Sequence, residues 1–271
     1  MVAAAIPEAV RRQAEDVSSA MPDPPPELGM RRIMTSRYCL LATPMPSLTF
    51  VEALRLTEDE LDDTIEAVRA TLREMRRSQA LWSVGTSARP DGLARLLAAR
   101  GMTPYDDPPL EPSGNCMAIV VPPNVGDVEG VEIQLADTIE RLREAERVEG
   151  EAFGIADEDR RGLQSILEVR LRLQQEERIA LRQWVAYIDG VPVGAARGML
   201  LANGINLSGA AVLPSARGRG AYRALIGRRW REAVERGAPA LTVQAGAMST
   251  PVLEQLGFVT VARTEHLRDR F

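Results

Sequence analysis

The 271-residue chain contains no lysine, and all 33 of its basic residues are arginine. Schiff-base chemistry and the phosphate-binding lysine of a P-loop are thereby excluded. A G+C-rich genome gives the same bias without any functional reason. A single histidine, His266, cannot head a zinc cluster or a Ser-His-Asp triad. Cys39 and Cys116 are too few for a disulfide framework or a thiolate metal site. Aromatic residues make up only 4%. No apolar run reaches the roughly 20 residues of a membrane helix. The Val2–Ile6 stretch ends at Pro7 and Glu8, too short for a signal-peptide core. With 45% apolar residues, the chain is neither disordered nor collagen-like, and it suffices for one large domain or two modest ones. The expectation is a soluble cytoplasmic protein without a metal.

The net charge of −5 is unevenly placed. Residues 1–127 hold 18 acids against 13 arginines, whereas residues 128–271 balance at 20 and 20. Within the second part, residues 128–178 carry 14 acids against 8 arginines, and Arg217–Arg236 carry 7 arginines against Glu232 and Glu235. The chain as a whole does not invite a polyanion such as nucleic acid. A small anion near Arg217–Arg236 suits it well.

Pro7–Ser19 is a short amphipathic stretch broken by Pro22 and Pro24-Pro25-Pro26, so residues 1–30 read as a flexible N-terminal arm. Cys39–Val51 offers strands interrupted by Pro44 and Pro46. Thr57 and Glu60 have the spacing of a capping box, opening a helix to about Arg77. Leu81–Gly85 reads as a strand, Gly92–Arg100 as a helix closed by Gly101, and Asn115–Val121 as a strand. Pro122-Pro123-Asn124 with Gly126 marks the boundary between a first domain, 31–124, and a second, 128–271. In the second, Val131–Ala136 is an expected strand, with helices over Asp137–Gly150 and Asp157–Gln175. Two strands joined at Asp189-Gly190 follow, then a strand over Ile205–Leu213. A helix over Gly220–Arg236, a strand over Ala240–Ala245, a helix over Thr250–Gln255 and a last strand from Phe258 complete the chain. A faint repeat relates Leu81–Met102 to Leu241–Phe258, each reading strand, helix, glycine, apolar residue.

One segment carries chemistry: Val212-Leu213-Pro214-Ser215-Ala216-Arg217-Gly218-Arg219-Gly220-Ala221-Tyr222. A strand runs through a loop of small residues directly into a helix, whose first turn offers unpaired N–H groups and a positive dipole end. Gly218 and Gly220 allow close backbone approach, and Arg217 and Arg219 add charge. A pyrophosphate fits such a cradle. A dinucleotide fold does not, because Arg223 stands where the third glycine is needed and Leu241-Thr242-Val243 supplies no ribose-binding acid.

At these residues the sequence resembles the GNAT family of acyl-CoA-dependent N-acyltransferases. Its signature, Arg/Gln-x-x-Gly-x-Gly/Ala after a Val-x-Pro strand end, is met by Val212-Leu213-Pro214, Arg217 and Gly220, with Tyr222 departing at the sixth position. Leu253-Glu254-Gln255-Leu256-Gly257-Phe258 resembles the family's closing helix and turn. The order of elements from Val131 to Phe258 is also similar. The resemblance implies an α/β fold with a central, mostly antiparallel sheet and flanking helices. It further implies two tandem halves: a degenerate GNAT-like N-terminal domain and a GNAT acetyltransferase domain.

The implied reaction is direct attack of an amine on the thioester of acetyl-CoA. The backbone of Arg217, Gly218, Arg219, Gly220, Ala221 and Tyr222 would hold the pyrophosphate. Ala211, Val212 and Leu213 would pair with the pantetheine and polarise the thioester carbonyl. The family's usual acid, a tyrosine, is replaced by Leu253, and the strand carboxylate has no counterpart, so no catalytic acid or base is assigned. Candidates for the acceptor side are Glu151, Asn206 and Ser208. Glu149 and Glu151 also fit a solvated helix end. The acidic 128–178 segment favours a cationic or amine-bearing acceptor, a small molecule or a peptide. No nucleic acid or membrane partner is expected, and a homodimer is admitted. The missing acid leaves an alternative: a catalytically silent acyl-CoA-binding sensor or assembly module.

Overall fold

The computed structural model describes residues 5–45, 48–105, 110–154 and 157–271, with side chains throughout except at 157–160. The first half runs α1 (Glu8–Glu15), α2 (Val17–Ala20), β1 (Arg31–Met34), β2 (Cys39–Ala42), β3 (Thr49–Glu52), α3 (Leu61–Glu74), β4 (Gln79–Gly85), α4 (Leu93–Ala98), β5 (Thr103–Pro104) and β6 (Ser113–Ile119). The second runs β7 (Glu132–Leu135), α5 (Ile139–Phe153), α6 (Asp157–Ser165), α7 (Leu167–Gln175), β8 (Leu181–Ile188), β9 (Val191–Leu201) and β10 (Gly204–Val212). It ends with α8 (Ala221–Glu235), β11 (Leu241–Ala245), α9 (Thr250–Gln255) and β12 (Val259–Arg270). Pro46, expected to interrupt β2 and β3, lies outside the described residues, as do residues 1–4 of the arm.

Local chemistry sets these elements. Thr57 and Glu60 form the predicted capping box, with the Thr57 N–H donating to Glu60 Oε2 at 2.9 Å. Asp189 (φ 54°) and Gly190 (φ 74°) both take the left-handed turn that joins β8 to β9. The single helix expected over 157–175 is two helices, broken at Ile166 (φ −106°, ψ 0°). The break lets α7 aim Arg170 at Gln183 and Gln174 at the Ala136 carbonyl.

The described strands form one sheet in the order β1-β2-β3-β4-β12-β6-β11-β10-β9-β8-β7, with β5 beside β12. Each half contains one parallel pair linked by a helix: β3/β4 through α3 and β10/β11 through α8. The halves also exchange a strand. β6 of the first half lies between β11 and β12, while the end of β12 lies between β4 and β5. The boundary near 122–126 is therefore a boundary along the chain and not across the sheet. Separate cores sit around Trp82 under α3, between α8 and the sheet around Ile226, and between α5 and the sheet around Val148.

Residues 8–20, expected within a flexible arm, instead form α1 and α2 and lie docked across the sheet. Val10, Gln13 and Ala14 are buried beneath α1. Gln13 donates to Thr242 Oγ1 at 3.3 Å, the Ser87 N–H donates to Glu15 Oε1 at 2.6 Å, and Asp16 pairs with Arg55 at 2.8 Å. In chain order, α1 and α2 precede β1–β3 as α5–α7 precede β8–β10. The docked arm thus supplies the first half's helical layer on that face.

This docking carries a pH dependence. Glu52 is 5% exposed and accepts the Ser18 N–H at 2.9 Å. Burial pushes its carboxyl from 4.5 up to about 7, the Ser18 bonds opposing and Asp16 adding to the rise. The folded state holds a proton that the unfolded chain releases, so the stability contributed by Glu52 is full below pH 4.5 and is lost as pH rises through 7. Glu52→Gln keeps the acceptor oxygen and removes the titration. Its melting temperature is expected to match the parent's near pH 5 and to exceed it at pH 8. Equal melting temperatures at pH 8 would contradict this.

Candidate functional site

The parallel strands β10 and β11 pair over only two positions, Ile205 with Leu241 and Asn206 with Thr242. β10 then continues alone towards Val212, and the sheet forks. On its other edge the register to β9 breaks between Ser208 and Ala210, around Gly209 at φ +55°. The strand end is anchored by the Leu213 N–H on the Val193 carbonyl at 2.9 Å. Ala211 and Leu213 are buried and Val212 is half-buried. A bulge beside a fork leaves one side of β10 without a strand partner, an opening suited to an extended ligand.

At the end of β10 the chain makes one tight turn over Pro214–Ala216 and passes Gly218 and Gly220, at φ +78° and +86°. Both conformations favour glycine. The first hydrogen bond of α8 runs from the Ala224 N–H to the Gly220 carbonyl at 3.0 Å, and no side chain caps the helix. The N–H groups of Ala221, Tyr222 and Arg223 thus precede the helical ladder with the positive dipole end behind them. Among the described residues, Arg219 makes only an exposed 3.4 Å contact to Asp189. A Cβ at Gly220 would meet Val128 Cγ1 at 2.6 Å, whereas one at Gly218 would meet nothing within 4 Å.

The corresponding helix of the first half begins oppositely. The turn that leads into α3 is closed by the Thr57–Glu60 capping box, and it holds Glu58 and Asp59. Glu60 takes the Thr57 N–H, and the charge of this acidic turn repels an anion. The first half's strand fork, beyond Phe50–Leu81 and Val51–Trp82, is closed by the docked arm: Glu15 reaches Ser87, and Glu52 accepts from Ser18. Among the described residues, only the second half combines an open fork with a basic helix start.

On the α5 face of the sheet, Ser208, Arg197 and Gln183 lie side by side across β10, β9 and β8. Arg197 donates to Glu149 and, at 3.3 Å, to Glu146. Arg170 donates to Glu146 at 3.2 Å and to Gln183, which in turn donates to Glu149 at 2.9 Å. Burial drives the Glu149 carboxyl up, with Arg197 opposing. On the opposite face, Arg229 of α8 is completely buried and donates to the Arg197 carbonyl at 3.1 Å. Burial brings its guanidinium down to about 10, and Tyr222 is the titratable group set against it. Arg197 therefore joins α8 to α5 through the sheet, opposite the bulge.

Residues 156–269 match the family model of the acetyltransferase (GNAT) domain. The region so matched, under half of the chain, is similar to GNAT domains. No curated protein matches the chain in sequence. Its fold over nearly the whole length is shared with a GCN5-related N-acetyltransferase from Kribbella flavida (20% identity, TM-score 0.64, covering 98% of this chain and 96% of that one). It is likewise shared with a tandem GNAT protein from the clavulanic acid biosynthesis pathway (15% identity, TM-score 0.59, covering 98% and 89%). A GCN5-related N-acetyltransferase from Sphaerobacter thermophilus is similar at 17% identity and TM-score 0.59, covering 88% and 82%. The expected mixed, mostly antiparallel sheet with flanking helices is the fold observed.

Within the matched region, the residues from Ala211 to Tyr222 run contiguously from the fork to the helix start. The acceptor-side candidates do not gather. Ser208 is half-buried at the bulge, and Glu151 is exposed in the last turn of α5. Asn206 is 3% exposed and donates to Thr242 Oγ1 at 3.2 Å, tying β10 to β11 beneath α1 instead of facing a ligand. The pair Glu149 and Glu151, read as a solvated helix end, divides: Glu149 is 1% exposed and Glu151 lies outside. Leu253, in the place of the family's tyrosine, is fully buried. Sequence reasoning missed Glu146, Arg170, Gln183, Arg197 and Arg229. The alternation along β9 puts Arg197 on one face, but only pairing with β10 sets it opposite the bulge.

Proposed function

We propose that the chain is an N-acetyltransferase that binds one acetyl-CoA in its GNAT domain and passes the acetyl group to an amine by direct attack. What carries this reading is the coincidence of an open strand fork with an uncapped helix start, bearing two glycines at positive φ and two arginines with little to bind. The residues present fit the co-substrate. The N–H groups of Ala221, Tyr222 and Arg223 would donate to the pyrophosphate, with Gly218 admitting its oxygens and Arg217 and Arg219 neutralising them. The unpaired edge of β10 from Ala210 to Val212 would receive the pantetheine, and its outward N–H groups would polarise the thioester carbonyl. Bound acetyl-CoA supplies an activated acyl group. The chain's part is to orient it at the bulge, with Ser208 on the face where Arg197, Glu146 and Glu149 hold α5. An acceptor approaching from that face meets the transfer point without crossing the sheet.

The buried Leu253 favours a second reading, an acyl-CoA-binding sensor without transfer. Thermal unfolding with acetyl-CoA, followed by thiol release in the presence of amines, separates the two. Ligand-dependent stabilisation with thiol release is the outcome expected of a transferase. Stabilisation without release from any amine indicates the sensor, and no stabilisation overturns both readings.

A further inference from the structure

Arg229 is a buried charge without a counter-charge. Its guanidinium lies under α8, donating from Nε to the Leu225 carbonyl at 3.0 Å and from Nη1 to the Arg197 carbonyl at 3.1 Å. Nη2 has no hydrogen-bond partner among the described residues. The charges around it are turned elsewhere. On α8, Glu232 pairs with Arg228 at 2.9 Å, and Glu235 lies 3.7 Å from Arg228. On the strands beneath, Arg197 turns its own guanidinium to Glu146 and Glu149 on the other face, and Tyr187 donates to Glu144. Arg182 donates to the Ile179 carbonyl at 3.3 Å, and Glu132 accepts from Gln134 at 2.7 Å. β10 and β11 carry no charged residue, and Asp127 and Glu129, in the segment beside the helix, are exposed. Among the described residues, the titratable group set against Arg229 is Tyr222, and no carboxylate is. Burying a charge in this way costs folding energy, so packing gives no reason for it.

Its place in the fold does. Arg197, whose carbonyl it holds, pairs with Ser208, where the register between β9 and β10 breaks. Arg229 lies about 12 Å along α8 from Ala221, and Ser208 lies about 13 Å back along β10 from Val212. Helix and strand thus measure the same distance from the anion cradle to these two residues. Tyr222 packs against the core that contains Leu207 and Val243, the residues next after the last paired positions of β10 and β11. The guanidinium therefore lies beneath β10, one strand from the open fork and roughly 8–10 Å from its edge. Resting on the transferase reading above, we infer that Arg229 stabilises the negative charge on the departing CoA sulfur, so that the leaving group departs as a thiolate without a side-chain acid. The amine lone pair forms the N–C bond, the C–S pair leaves on sulfur, and the nitrogen proton passes to water. Buried Leu253 needs no substitute in this scheme. Arg229 acts by its field across β10 and does not touch the substrate. Burial lowers it only to about 10, so it is charged at neutral pH.

The test follows the thiol of bound CoA by the ultraviolet absorbance of its thiolate as pH is raised, with the desulfo-CoA complex as blank. It uses the full chain and two neutral variants, Arg229→Met and Arg229→Gln, the second of which retains an amide donor. At roughly 9 Å and an effective dielectric constant of about 20, one charge moves a neighbour's ionisation by about one pH unit. Both variants should therefore raise the half-ionisation pH of the bound thiol by about one unit over the parent's, with desulfo-CoA affinity unchanged. Unmoved ionisation in either variant would overturn the inference. So would an equal loss of affinity for CoA and desulfo-CoA, or failure of both variants to fold, since each would show that Arg229 only holds α8 on the sheet. Failure of the parent to bind either compound would instead remove the transferase reading itself.

Discussion

Gly218→Asp is expected to weaken acetyl-CoA binding roughly 100-fold, and Gly218→Asn far less. The two side chains have nearly the same size, and both tolerate the left-handed backbone, which Gly218 adopts at φ +78° with nothing within 4 Å of a Cβ. What separates them is a negative charge where phosphate oxygens belong. Losing two charge-assisted hydrogen bonds, about 1.5 kcal/mol each at the low end, gives about 3 kcal/mol, or a factor near 100. Calorimetric titration reads the difference directly. Equal losses in the two variants would mean that the backbone, and not charge, limits the site. Gly220 is the poorer probe, because any Cβ there meets Val128 at 2.6 Å.

The second large effect concerns stability. Arg170 is 4% exposed and donates to Glu146 and Gln183 within a network that also contains Glu149 and Arg197. Arg170→Met keeps the apolar bulk but leaves two buried carboxylates facing one guanidinium. Removing one partner of a buried ion pair costs about 3–5 kcal/mol. At about 2–4 °C per kcal/mol for a chain of this size, the melting temperature should fall by about 10 °C. Acetyl-CoA affinity should remain, since Arg170 touches no part of the cradle. A loss below about 1 kcal/mol, the worth of an exposed pair, would show that the network is solvated.

What was legible in the sequence was whatever depends on neighbours along the chain. Thr57 and Glu60 close a local ring, Asp189-Gly190 is a two-residue turn, and Val212–Tyr222 is contiguous, so each declared itself by spacing. The strand exchange was not legible. β6 reads as a strand wherever it goes, and only its pairing with Leu241–Ala245 and Val259–Glu265 shows that it completes the other half. The docking of α1 was hidden because its anchors, such as Gln13 on Thr242, are 229 residues apart. The polar network was hidden for the same reason: Glu149 looked like a helix-end acid until Arg197, 48 residues on, faced it across α5. Asn206 drew notice as a polar residue on the motif strand, yet its amide ties two strands together. Contiguous signals located the cradle, and long-range pairing located everything that surrounds it.

The proposed function requires that one half of the fold hold acyl-CoA and the other not. In the first half, Glu58, Asp59 and Glu60 form a capping-box turn just before α3, and residues of the arm fill the fork. In the second, α8 starts uncapped beside Arg217 and Arg219. Titrating the full chain with acetyl-CoA in a calorimeter measures this directly. One site per chain, lost on Gly218→Asp, is the predicted result. Two sites, or one that survives Gly218→Asp unweakened, would contradict it.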